Sequence, residues 1–477
     1  MSRKLTIVGA GWAGLSAAVR ATQLGFQVHL IEASASPGGR AKTISHHDLQ
    51  FDNGQHALIG AYSATLALIG SIGLNADELF ERQALKWSYP SGAPFSLPTD
   101  PYPLKLARSL LFNKRFDGRD KLSVLKPALF WFEHVLMRTL FSAQTTPKDV
   151  SVAQLFQGVS QRIIQDLISP LCLSAMNTPM AHASANTFLQ VLRDAFADPP
   201  HSCDFLWPKR TLSEIMPERA VQWLNEHGAL VQMGRRIDAL NQIDPESSCL
   251  LAVPPWQAAK LTQDKNPAWS NLAHQLQHRA IASVYLKGQA HSSLITYPHL
   301  SEAHSTLGRL ICFNHPMELE DCVHPQFGVQ LQAPTQHKKH AGTLAETHMN
   351  AHKHPSTPIS LSAPNPPEFS TPESTQYWAL IVSVADPFKR EVIIQNALAL
   401  ARSELGLKNP ELQFCSVEKR ATFSCEPNLR RPPCRVAEGL WACGDYVQGP
   451  YPSTIEGAVR SGVNAVEALS SELLSPS

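Results

Sequence analysis

The sequence predicts an α/β protein: a doubly wound, largely parallel sheet assembled from both ends of the chain, with a second domain of mixed α+β character. Three observations predict it. Near the start, the apolar strand Lys4–Val8 runs into glycines, a helical pattern over Gly14–Leu24 and a second strand, Gln27–Glu32, which together make a βαβ opening. Near the end, the strand Leu440–Gly444 stops in Gly-Asp and is followed by a helix, Ser453–Leu473. Between them, Leu230–Leu240 and Cys249–Pro254 read as two more strands around a turn at Asp244–Ser248.

The remaining segments follow in order. A glycine turn and a further strand occupy Gly38–Gly54, and Tyr62–Leu192 is mainly helical, with proline-rich breaks over Tyr89–Pro103. Ile281–Leu286 and Tyr377–Val384 read as sheet from a different layer. The expected division is therefore 1–75, 205–265 and 415–477 for the dinucleotide-type domain, and 76–204 with 266–414 for the other. Gln332–Ser374 is rich in Pro, Ser, Thr and His and lacks apolar periodicity, so it reads as a mobile surface loop. Its histidines (His337, His340, His348, His352, His354) are irregularly spaced and the stretch has no Cys, so no metal is expected there.

Composition narrows the function. With 477 residues, 17% of them charged, and a net charge of +1, nothing attracts nucleic acid globally, and no Lys/Arg run does so locally. Nine scattered cysteines form no C-x-x-C pair, which argues against a metal framework and for free thiols in a reducing compartment. No apolar run approaches the ~20 residues of a membrane span, and Met1–Leu5 lacks a leader's apolar core. A cytoplasmic location is expected, peripheral on the inner membrane face at most.

The motifs carry the chemistry. In Gly9-Ala-Gly11-Trp12-Ala13-Gly14, Gly9 permits the tight turn, Gly11 lets backbone approach a pyrophosphate and Gly14 lets helix and strand pack closely. Glu32 closes the second strand, where a carboxylate accepts from ribose hydroxyls. Pro37-Gly38-Gly39-Arg40 sets a guanidinium beside the pyrophosphate, a feature that a plain nicotinamide dehydrogenase does not need; a surface salt bridge is the plainer role for Arg40. Gly444-Asp445 ends the late strand, placed for ribityl hydroxyls, and the helix opening at Thr454-Ile455 can stabilise negative charge on a reduced flavin. A turn or cap is the plainer role for Asp445. Cys443 reads as a small buried strand residue rather than a covalent anchor. Together these predict non-covalent FAD in a Rossmann-like, discontinuous domain of the glutathione-reductase type, with Gly54 added from the Gly38–Gly54 turn.

These signatures resemble the amine oxidase and phytoene desaturase superfamily of FAD enzymes. Within it, Phe51-Asp-Asn-Gly-Gln-His56 with Gly60-Ala-Tyr62, Asn177-Thr, Ala183 through Arg193, Leu250 through Trp256 and Asp445 through Gly462 resemble hydroxysqualene dehydroxylase. The correspondence runs over most of the chain except the His/Pro/Ser loop and the polar stretch Asn271–Ser293. The resemblance implies that hydroxysqualene, reduced flavin and a proton give squalene, water and oxidised flavin. It also implies an apolar isoprenoid tunnel in the second domain.

Departure of the allylic hydroxyl needs a proton, so something polar must project into that tunnel. His56, Gln55 and Tyr451 are the candidates: His56 on the strength of an imidazole near neutral pKa, Tyr451 as an orienter of the hydroxyl. Plainer roles stand beside them, a cofactor or backbone contact for His56 and tunnel wall for Tyr451. Apolar and basic residues interleaved over Pro103–Met137 suit an anionic membrane surface, or equally a tunnel-lining helix with a solvated face. The electron donor is not legible, and a separate reductase or a quinol is expected. A carotenoid desaturase, an amine or protoporphyrinogen oxidase and a non-enzymatic prenyl-binding escort protein are the competing readings.

Overall fold

The computed structural model describes residues 3–47, 49–54, 56, 58–87, 89, 94–96, 105–125, 149–196, 201–290, 299–300, 310–315, 374–385 and 388–474. Gln55, both ends of Pro103–Met137 (103–104 and 126–137) and all of Gln332–Ser374 but its last residue lie outside them.

Strands that read as continuous apolar runs need cover on both faces, and the first sheet gives it to them. Its order is Leu230–Gln232, Gln27–Ile31, Lys4–Val8, Ser248–Leu251, Leu440–Ala442 and, at the edge, Arg435–Ala437. The first five are parallel and the edge strand is antiparallel. Segments from the start, middle and end of the chain thus share one sheet. Val8 lies level with Ile31 and with Leu251, and Leu251 level with Ala442. Consequently Gly9, Glu32, Ala252 and Gly444 all leave the sheet at one edge. The strand order reverses direction between Lys4–Val8 and Ser248–Leu251, which is where such sheets open a crevice.

Two helices close one face of this sheet, Trp12–Gln23 and Ile455–Leu474. They approach so closely that a Cβ on Gly462 would lie 2.2 Å from the Ala13 carbonyl oxygen and from Ser16 Oγ. Ser16 Oγ also donates to the Val459 carbonyl at 3.1 Å.

The second sheet is antiparallel, in the order His299–Leu300, Leu310–His315, Ser374–Ser383, His278–Ala290 and Lys408–Phe423. Helix Arg390–Ser403 covers it through Ile393, Ala397 and Leu400, packed with the strand residues Trp378, Leu380 and Val382. The hairpin Thr43–Asp52, a two-stranded sheet of its own, packs on the second sheet, where Phe51 stacks on Phe414 with ring centres 5.0 Å apart. There Tyr285 Oη donates to the Asp52 carbonyl at 2.8 Å.

Two expectations needed correction. Leu230–Leu240 is strand only to Gln232, because Gly234 turns the chain at φ +74° and the next amides bond back to Ser34 and Glu32. Tyr62–Leu192 is less uniformly helical than its pattern: Phe80–Gln83 pairs with Phe205–Pro208, and Lys86–Trp87 with Phe95–Ser96. The first pairing joins segments more than a hundred residues apart, which local periodicity does not record.

Candidate active site

The first helix begins at Trp12 with Gly11 as its cap, no side-chain cap and no acidic residue in its first turn. Its leading amides therefore keep their partial positive charge for an anion. Each glycine has its own reason. A Cβ on Gly14 would sit 1.8 Å from the Gly9 carbonyl oxygen, and one on Gly9 would sit 2.4 Å from that of Ala252. A Cβ on Gly11 would meet nothing nearer than Gly39 Cα at 3.9 Å, so it would fill space open to a ligand rather than strike the fold.

The two glycine turns are paired. Gly38 N donates to the Ala10 carbonyl at 2.8 Å, and Gly39 at φ +62° packs on Gly11. Trp12 braces them, its buried indole donating to the Ala41 carbonyl at 2.9 Å. The Glu32 carboxylate is fixed at the strand end by the amides of Ala10 (2.6 Å) and Ser34 (2.7 Å). Each oxygen retains a second lone pair for a ribose hydroxyl.

Arg40 and Asp445, 405 positions apart in sequence, form an ion pair at 2.5 Å, and Arg40 also donates to the Ala421 carbonyl at 2.7 Å. Asp445 is buried, and Arg431 donates to its carbonyl and to that of Tyr451. Gly444 N is held by Ser461 Oγ, and Thr454 Oγ1 accepts from Gly457 N at the start of the last helix.

The glycine turns, Trp12, Glu32, Arg40, Asp445 and Thr454 line one cavity of about 650 Å³. It runs from Gly9, Gly11, Glu32 and Gly39 past Arg40, Gly54 and Asp445 into a chamber walled by Leu171, Leu173, Met176, Phe188, Val191 and Phe196. The uncapped helix, the open space beside Gly11 and the fixed carboxylate fit a dinucleotide. Among the described residues no cluster of His, Cys, Asp and Glu could hold a metal ion, and the seven described free cysteines are buried or nearly so. Cys443, just past the end of the strand Leu440–Ala442 rather than within it, is fully buried, with burial pushing its thiol pKa upward.

His56 lines the cavity with its Nε2 buried and without a hydrogen-bond partner. Burial and the neighbouring Arg40 charge pull its pKa down to about 4. The imidazole is therefore neutral at pH 7, which corrects the expectation of a proton donor titrating near neutrality. Tyr451 lines the chamber, and burial and the nearby Asp194 carboxylate push its phenol up to about 12.

Several wall residues escaped the sequence. Asp194 follows the Ala183–Arg193 stretch and projects from helix Ala185–Phe196 among apolar neighbours. Glu456 accepts from the amides of Ala64 and Thr65, pinning the Ser63–Ser71 helix to the last one. Asn177, by contrast, fastens helix to sheet. At φ +45° it ends a helix, donates to Thr422 Oγ1 at 3.0 Å and accepts from Val384 N at 2.9 Å.

Comparison with known proteins agrees with this geometry. Residues 7–70 match the model of an NAD(P)-binding Rossmann-like domain. The chain is 24% identical to hydroxysqualene dehydroxylase of Rhodopseudomonas palustris over 98% of both chains, and 25% identical to that of Zymomonas mobilis over 97% of both. The likeness to these proteins therefore runs over nearly the whole chain, well beyond the dinucleotide-type segment. An oxidoreductase of Methanosarcina mazei has the same fold, with a TM-score of 0.63 at 14% identity over 98% of this chain and 100% of that one. In this chain the glycine loops and the apolar chamber share one crevice.

Proposed function

We propose that this flavoprotein binds FAD and reductively dehydroxylates hydroxysqualene to squalene. The observation that carries the reading is the single cavity joining the dinucleotide loops to an apolar chamber. Such walls suit a hydrocarbon chain, whereas an amine or a carboxylate would lose its hydration there without compensation. The near-full-length similarity to proteins named hydroxysqualene dehydroxylase narrows the substrate class.

In this reading Gly11 and the leading amides of the first helix take the pyrophosphate, Glu32 the adenosine ribose, and Asp445 the ribityl chain, with Arg40 orienting its carboxylate. The domains divide as 1–75, 205–265 and 415–477 for the cofactor and 76–204 with 266–414 for the substrate. Reduced flavin supplies the hydride. The chain's own residues bind the polyene, exclude water and present a proton to the departing oxygen. Tyr451 is placed to present that proton, being protonated throughout the neutral range. Neutral His56 serves as a hydrogen-bond donor toward the cofactor.

The substrate resides in membranes, and no described helix is long and apolar enough to cross one. Helices Lys105–Phe112 and Gly118–Ser123 pack inward through Leu110 and, just after the second helix, Val124, while Leu111, Phe112, Leu122 and Leu125 are exposed beside Lys114, Arg119 and Lys121. This face suits peripheral docking on anionic lipid, and a failure to co-sediment with anionic liposomes would remove it.

The deciding experiment is anaerobic incubation of the photoreduced protein with hydroxysqualene and chromatography of the lipid extract. Squalene appearing in step with flavin reoxidation is expected. No squalene, with the flavin still reduced, would move the reading to dehydrogenation of a polyene such as phytoene by oxidised enzyme.

A further inference from the structure

Among the described residues five carboxylates line the cavity, and four are committed elsewhere. Glu32 accepts from two amides, Asp445 is paired with Arg40, and Glu456 accepts from Ala64, Thr65 and Arg460. Glu418 accepts from the Arg420 amide. The fifth, Asp194, stands on helix Ala185–Phe196, whose Phe188, Val191, Leu192 and Ala195 form apolar wall. Gln190 Nε2 donates to it at 2.8 Å and Arg193 Nε lies 3.4 Å away, so one oxygen is anchored from its own helix.

Tyr451 lines the same chamber, and the Asp194 carboxylate is close enough to help raise its phenol pKa. Its main chain is rigid. Pro450 and Pro452 flank it, Arg431 Nη1 donates to its carbonyl at 2.7 Å, and the Arg460 guanidinium lies 5.2 Å from its ring centre. A carboxylate and a phenol in an otherwise apolar wall are where a substrate hydroxyl can keep its hydrogen bonds on leaving water.

We infer that Asp194 and Tyr451, both on the chamber wall, together clamp the hydroxyl of the substrate. The inference rests on the dehydroxylase reading and adds to it the group that distinguishes an allylic alcohol from a plain hydrocarbon. The alcohol's O–H donates to Asp194, and Tyr451 O–H donates to the alcohol's oxygen. When the C–O bond breaks, the Tyr451 proton passes to the departing oxygen, which leaves as water. The carbon receives hydride from the reduced flavin, so the bond lost is C–O and the bond gained is C–H. The tyrosinate left behind is stabilised by the Arg460 cation over its ring and recovers its proton from solvent. Tyr451 is the catalytic residue of the pair, and Asp194 is a positioning residue that also selects the alcohol.

The test titrates the FAD-loaded protein with hydroxysqualene, squalene and farnesol, following the flavin spectrum, and measures single turnover separately. Wild type is expected to prefer alcohols to squalene. Asp194→Asn is expected to weaken alcohol binding about 10- to 100-fold with squalene unaffected. Asp194→Glu recovers part of the loss, and Tyr451→Phe lowers the single-turnover rate more than it lowers affinity. Retained yellow colour and an unchanged Tm show that each variant is folded. Alcohol preference undiminished in folded Asp194→Asn and Tyr451→Phe would overturn the clamp, whatever the turnover. Alcohol binding that depends on Asp194, without any squalene formed, would keep the clamp and sink the dehydroxylation.

Discussion

Two glycines three positions apart separate folding from binding. Gly11 borders open cavity, so Gly11→Ala is expected to leave Tm within a few degrees of wild type while the purified protein loses its yellow flavin. Gly14 borders the Gly9 carbonyl, and Gly14→Ala is expected to destabilise the apoprotein by at least about 1–3 kcal/mol in urea melts. If both variants lose flavin with unchanged stability, the packing role given to Gly14 is wrong. In the same site buried Asp445 is paired with Arg40, whose side chain is 36% exposed, and Arg40→Met would remove the carboxylate's cation. A loss of about 1–3 kcal/mol in the apoprotein, partly recovered in Arg40→Met/Asp445→Asn, is the expected pattern by calorimetry. His56, neutral at pH 7, predicts a flat result: the single-turnover rate of His56→Gln should keep the wild-type pH profile between pH 6 and 8.

Among elements, the contact between the first and last helices decides whether the two ends of the chain form one domain. Their backbones approach too closely at Gly462 for any side chain. Gly462→Ala is expected to separate them and expose the last helix to limited proteolysis well below the wild-type melting temperature. A digestion pattern identical to wild type would mean that the helices slide apart at little cost. The glycine itself is visible in the sequence, within the stretch Asp445 through Gly462. Its partner, Ala13, is not, because nothing local joins positions separated by nearly the whole chain.

For the whole molecule, Asp52 sits where the Thr43–Asp52 hairpin, the Leu212 amide and the second sheet's Tyr285 converge. Burial pushes its pKa up to about 7, against the lowering effect of the Thr43 and Leu212 hydrogen bonds. The folded state thus holds this proton more tightly than the unfolded chain, whose carboxyl titrates near pH ~4. That contribution to stability is complete below about pH 4 and declines as pH rises to about 7, where it is lost. Asp52→Asn, which cannot ionise, should therefore have a higher Tm than wild type at pH 8 and little advantage at pH 4. A wild-type Tm that rises between pH 5 and 8 relative to Asp52→Asn would contradict the assignment.

The sequence by itself determined the α/β class, the glycine turns, the acid after the second strand and the late Gly-Asp strand. Each is a local pattern whose backbone geometry or strand burial is written within a few residues. Tertiary structure alone decided that Arg40 pairs with Asp445, that His56 is neutral, that Asn177 fastens helix to sheet, and that Asp194 and Tyr451 line one chamber. Those facts depend on distances between segments far apart in the chain and on the solvent excluded where they meet. Charge state and pairing follow from that exclusion, and no periodicity in the sequence encodes it.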